Sequence, residues 1–214
     1  STGDTSSAAS DVYKRQEYLS ALEHNLELSA FSRIVVLYDI DRDTGSDDLF
    51  GHLPPHPKLD VRKISGRPSF AYLISLGNTE AKDMTAIANA DIAFTPDLAK
   101  VPELGQSVLA VTRWEFVDED RISVKHVGGR VNEESIDTWL FEKGLQAPEE
   151  LADIRLGTPA CDGYLSLYFS GRVFNPCWDI RTLHIHFQGG RVGDYVNIPK
   201  VDATSPVVSL ADLY

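Results

Sequence analysis

The chain has 214 residues, 43% of them hydrophobic and 24% charged, a mix that excludes wholesale disorder and gives a single domain whose core needs no staples. With 32 acids against 20 bases and a formal charge of −12, it repels phosphate backbones, which excludes nucleic-acid binding through general electrostatics. Two cysteines are too few for a disulfide scaffold, and no apolar run reaches the roughly 18 residues of a transmembrane segment.

Residues 1–14 read as a disordered or non-native leader, since Ser1 to Asp11 is mostly Ser, Thr and Ala and lacks the basic and apolar parts of a secretory signal. Residues 15–29 put Tyr18, Leu19, Leu22 and Leu26 at helical spacing. Arg33 to Asp39 (RIVVLYD) is a continuous β-branched run suited to a buried parallel strand. Residues 41–57, acidic and then proline-rich, predict a loop, and Leu59 to Ile64 a second strand. Ser69 to Leu76 and Ala81 to Ile87 predict helices, with Gly77 and Asn78 between them.

Ala90 to Phe94, Val108 to Thr112 and residues 135–141 (SIDTWLF) predict further strands, the first and last with an aspartate inside. Gly157 to Asp162 then leads into a helix over Gly163 to Ser170, stopped by Gly171. Arg172 to Phe174 and Arg181 to Phe187 close the pattern as strands, and residues 192–214 form a tail. The alternation predicts a single-domain α/β fold with a mostly parallel central sheet flanked by helices.

Several polar residues stand out against this apolar pattern. Asp91 lies in an apolar strand, two residues after Asn89, and an ionised carboxylate there needs a partner or a metal; a strand-end acid capping a loop is the alternative. His184 and His186 share a strand face, either as nitrogen ligands for manganese or zinc or as one buried and one exposed histidine. Asp162 opens a helix, as a structural cap or as a general base. Asp137 and Trp139 share a strand face, which suits gripping a sugar, although a core tryptophan reads the same. Arg67 and Arg113 read either as planar forks for phosphate or as solvated surface arginines. Cys161 and Cys177 read as structural thiols of an intracellular, cytoplasmic chain, with a bridge between them as the alternative.

Taken in order, these segments resemble a glycosyltransferase of the GT-A type over roughly residues 15–191. The likeness is carried by Arg15-x-Glu17 with Leu22 and Asn25 before RIVVLYD, by Gly66-Arg67-Pro-Ser-Phe70, and by Ala88-Asn89-Ala-Asp91-Ile-Ala-Phe94 in the place of a DxD metal motif. It continues through Val111-Thr-Arg113-Trp114, Ser135-Ile-Asp137-Thr-Trp139-Leu-Phe141, Gly157 to Asp162, Asn175-Pro176 and His184-Ile-His186. The resemblance implies transfer of a sugar from a nucleotide-diphosphate-sugar donor to a glycan or other acceptor hydroxyl, with inversion.

It further implies a divalent metal, Mn2+ or Mg2+, on Asp91 and on His184 or His186, with Asn89 assisting, and a donor diphosphate met by Arg67 and Arg113. Asp162 would be the base, and Asp137 with Trp139 the acceptor wall. Such enzymes start with a strand ahead of the R-x-E helix, so the chain is expected to lack that strand. Two other readings stay open: a nucleotidyltransferase on a similar sheet, although no glycine-rich basic loop follows the first strand, and a truncated relative that binds a glycan or a partner without catalysis.

Overall fold

The computed structural model describes residues 5–42, 55–118, 121–124, 126–127, 130–131, 135–185 and 209–213. Helix α1 (Thr5–Glu27) leads to β1 (Ile34–Asp39), β2 (Leu59–Ile64), α2 (Phe70–Glu80), β3 (Met84–Ala88) and β4 (Ile92–Phe94). Next come β5 (Val108–Thr112), β6 (Trp114–Asp118), β7 (Arg121–Val124), β8 (His126–Val127), β9 (Arg130–Val131) and β10 (Ile136–Glu142). Helix α3 (Cys161–Tyr168), β11 (Val173–Phe174) and β12 (Thr182–Ile185) complete the main elements. Because α1 begins at Thr5, much of the expected leader is helical.

Strands β1 and β2 form a parallel pair, and β8 and β9 an antiparallel one. One four-stranded sheet runs β11-β5-β10-β3 and a second runs β4-β12-β6-β7. In the first, β10 is antiparallel to both neighbours and only β11–β5 is parallel; in the second, only β12–β6 is parallel. The fold thus joins helices to mixed sheets, and the mostly parallel sheet expected from the sequence is not found among the described strands. An uninterrupted apolar run reports burial on both faces, not strand direction, so β5 and β10 read the same either way. The expected helix over Ala81 to Ile87 is also corrected: α2 continues through Gly77 and Asn78 to Glu80, and the residues after it form β3.

The first sheet is covered on both faces. Phe70, Leu73 and Ile74 of α2 and Leu165 of α3 pack with Val108, Ala110, Trp139 and Phe141 on one side. Leu109, Val111 and Leu140 meet Leu104, Cys177 and Ile180 on the other. Ile136 belongs to the same cluster as Trp139, three residues on, which strict alternation forbids. The register explains it: Ile136 faces Thr112 and Thr138 faces Val111, so Asp137 is an extra residue, a bulge in β10.

Two asparagines of the resembling segments turn out to satisfy open backbone. Asn25 donates to the Ile92 carbonyl at 2.8 Å and accepts from the Phe94 N–H at 2.8 Å, so α1 covers the edge of β4. Asn175, fully buried, accepts from the Thr112 N–H at 3.1 Å and donates to Thr112 Oγ1 at 2.7 Å.

Candidate functional site

The polar residues that stood out in the apolar strands come from four segments that end at one place. Asn89 and Asp91 occupy the turn between β3 and β4, Arg113 the junction of β5 and β6, Asp137 the bulge of β10, and His184 the middle of β12. Backbone bonds fix these positions. The Asn89 N–H donates to the Asp137 carbonyl at 3.1 Å, the Arg113 N–H to the Ser135 carbonyl at 3.1 Å, and the Ile185 N–H to the Asp91 carbonyl at 2.9 Å.

The side chains form a continuous chain of contacts across the two four-stranded sheets. Asp137 accepts from Asn89 Nδ2 at 2.6 Å on one oxygen and from Arg113 Nη1 on the other. Arg113 Nε donates to Glu115 Oε1 at 2.9 Å. The other Glu115 oxygen lies 2.8 Å from His184 Nδ1, and His184 Nε2 lies 3.3 Å from Asp91 Oδ2.

Three carboxylates therefore surround one guanidinium and one imidazole. Burial alone would lower the pKa of Arg113, but Asp137 and Glu115 raise it, so the guanidinium is held as a cation. Burial pushes Asp137 above the ordinary carboxylate range, Asp91 adds to this, and Arg113 opposes it. Burial would likewise raise Glu115, yet His184 and Arg113 hold it down to about 2. For His184 burial favours the neutral ring, but Asp91 and Glu115 on its two sides raise it to about 9.

Beside Asn89 lies Gly157, with φ +71°; a Cβ there would stand 3.2 Å from Arg67 Nη1 and 3.9 Å from Asn89 Oδ1. Glycine thus answers both a left-handed turn and a close approach. The same loop delivers α3, whose cap is Ala160 in the left-handed region rather than Asp162. Asp162 occupies the first turn and accepts from the Gly163 N–H at 2.9 Å. It lies close to the cluster through Cys161, whose thiol burial pushes up to about 11, with the fields of Asp162 and Asp137 adding to the rise. Cys161 and Cys177 are both buried thiols, not a disulfide.

Arg67 also borders a second feature. Asp39, Asp41, Ser65, Gly66, Arg67 and Arg155 line an open cleft of about 500 Å³, at the carboxyl ends of the parallel strands β1 and β2, where α/β folds commonly place ligands. Asp39 Oδ1 accepts from the backbone N–H groups of Gly66 at 2.9 Å and Asp41 at 3.1 Å, and Asp41 accepts from Ser65 Oγ at 2.6 Å. Arg155 Nη1 donates to the Arg67 carbonyl at 2.7 Å.

The structure therefore brings Asn89, Asp91, Arg113, Asp137 and His184 together and puts Arg67 and Asp162 beside them. Trp139 is the exception. It is 1% exposed and packs edge-to-face on Phe70 at 4.9 Å, so it is a core residue and cannot wall an acceptor site; the bulge at Asp137 breaks the alternation on which that expectation stood. Asn89 turns its Nδ2 to Asp137 and Asp91 faces His184, so the two do not act as one ligand pair. His186 lies outside the described residues. The sequence reading missed Glu115, for which the one signal was its period-2 spacing from Arg113, and it missed Asp39, Asp41 and Arg155. Among the described residues, no group of three or more His, Cys, Asp and Glu is arranged to hold a metal ion, and none of the described helices is long and apolar enough to cross a membrane. No protein-family model, no curated protein and no solved structure matches the chain.

Proposed function

We propose that the chain is a glycosyltransferase of the GT-A kind, which moves a sugar from a nucleotide-diphosphate-sugar donor to a glycan or other acceptor hydroxyl. What supports this reading is one observation: the polar residues of four separate resembling segments meet in a single hydrogen-bonded cluster beside an open cleft. The cleft, at about 500 Å³, falls within the roughly 300–1,000 Å³ of small-molecule sites. Arg67 and Arg155 suit the donor's diphosphate, and the Asp39 and Asp41 carboxylates suit its hydroxyl groups.

Asp91 and His184 suit a divalent cation, Mn2+ or Mg2+, held by two protein ligands with phosphate oxygens and water completing the shell. Such an ion would neutralise the charge that develops on the departing diphosphate. Asp162, in the first turn of α3, takes the acceptor proton; a carboxylate that takes only a proton leaves the donor carbon to invert. Asp137, with both oxygens engaged by Arg113 and Asn89, anchors the cluster instead of accepting that proton.

The test is a thermal-shift panel of nucleotide sugars with and without Mn2+, followed by transfer assays on Asp162→Asn. A cognate donor at 100 times its Kd stabilises by about 2.7 kcal/mol. Asp162→Asn should keep donor binding and lose roughly 10²–10⁴ in transfer rate. A folded protein that no nucleotide sugar stabilises sinks the proposal, and donor binding without transfer by the wild type makes the chain a binder.

A further inference from the structure

We infer that Glu115 is the positioning residue of His184: it grips the imidazole by Nδ1, turns Nε2 toward Asp91, and thereby sets the affinity of the Asp91–His184 pair for a divalent cation. The inference rests on the metal-assisted reading above and assigns a role to a residue outside every resembling segment.

Backbone register makes the contact. Strand β12 lies between β6 and β4, and its parallel ladder with β6 pairs His184 directly with Glu115. On the opposite flank it pairs His184 with Ile92, the residue after Asp91. The imidazole is thus delivered between two carboxylates, Glu115 of β6 and Asp91 of the turn that precedes β4. The two contacts are unequal. Glu115 Oε2 stands 2.8 Å from Nδ1, within the range of a charge-assisted bond, whereas Asp91 Oδ2 stands 3.3 Å from Nε2, beyond it. Glu115 is also the better-held partner, because Arg113 Nε secures its second oxygen at 2.9 Å and Arg113 is itself bonded to Asp137.

A ring that donates Nδ1–H to a carboxylate has its remaining lone pair on Nε2. Here Nε2 faces a carboxylate oxygen, which only accepts. Two acceptors facing one another need a cation between them, either a proton or a metal ion. An outer carboxylate that fixes the ring and raises its basicity is what a histidine ligand requires.

The experiment measures Mn2+ binding to the full chain by the electron-spin resonance of free Mn2+, for wild type, Glu115→Ala and Glu115→Gln, with circular dichroism as the check on folding. Glu115→Ala should weaken Mn2+ binding 10–100-fold, and Glu115→Gln, whose amide oxygen still accepts from Nδ1–H, should lose less. Mn2+ should broaden the Nε2 signal of His184 in ¹⁵N spectra more than the Nδ1 signal. Folded Glu115 variants that bind Mn2+ like the wild type overturn the inference, as does a folded wild type that binds none. Glu115-dependent Mn2+ binding in a chain that transfers no sugar would refute the glycosyltransferase reading and leave this inference standing.

Discussion

Asp137 is held from two directions by donors of different charge, a guanidinium and a carboxamide, and it is 8% exposed. Removing its charge leaves Arg113, whose side chain is 19% exposed, with Glu115 as its remaining ion-pair partner. A buried cation deprived of a partner is costly because it keeps its desolvation and loses its Coulomb gain. Asp137→Asn should therefore destabilise the fold by about 3 kcal/mol, read by urea denaturation. Asp162→Asn, in the first turn of α3, should change stability by less than about 1 kcal/mol. Equal losses in the two variants would mean that Asp137 is not the anchor of the cluster.

Helix α2 lies so close to the first sheet that a Cβ on Gly77 would stand 2.5 Å from Thr85 Oγ1 and 2.9 Å from Phe141 Cζ. Alanine in a helix interior ordinarily gains about 1 kcal/mol over glycine. At Gly77 the overlap should reverse that sign, and Gly77→Ala should cost about 1–3 kcal/mol in chemical denaturation; a stabilised variant would mean that α2 rides higher on the sheet. The same contact explains why Gly77 misleads as a punctuation mark, since it answers a close approach instead of a turn. Strands such as β5 and β10 were legible because their apolar runs are local signals; α3 was legible in place, although it ends at Tyr168 with Phe169 as its cap, short of Gly171, the expected stop. The short Met84–Ala88 run was not, since a few apolar residues fit either period. Nor was the bulge, because an inserted residue is defined by the partner strand and not by its own neighbours. For the site, Asp91, Arg113, Asp137 and His184 were legible as polar residues in apolar surroundings. That Glu115 joins them depends on β12 pairing beside β6, which no short-range pattern encodes.

At the scale of the molecule, the charged groups set a pH window. Asp97 is pulled down from 3.8 to about 2: burial would raise it, but bonds from Arg181, Lys100 and Thr95 prevail. Glu115 falls from 4.5 to about 2. Both contribute stability that is full above about pH 4.5 and drains away as pH falls through 2. His184, raised from 6.5 to about 9, contributes stability that is full below pH 6.5 and lost as pH rises through 9. Self-repulsion from the charge of −12 at pH 7 adds to the alkaline loss. Melting temperatures taken in chelator should therefore peak between about pH 4.5 and 6.5. Asp97→Asn should flatten the acid limb, and melting points that climb steadily to pH 9 would contradict the His184 part.

The order in which the chain emerges from the ribosome gives the placement of β12 a further meaning. Strands β4 and β6 both precede in the chain the strand that joins them, so they are synthesised before it. Until residue 182 is out, the nascent protein displays two unpaired strand borders, each a template for stray pairing with another chain. His184 arrives with the segment that closes this gap. The cluster can form only after the sheet is finished, so a polypeptide halted before that point has neither a closed sheet nor the imidazole around which its carboxylates gather.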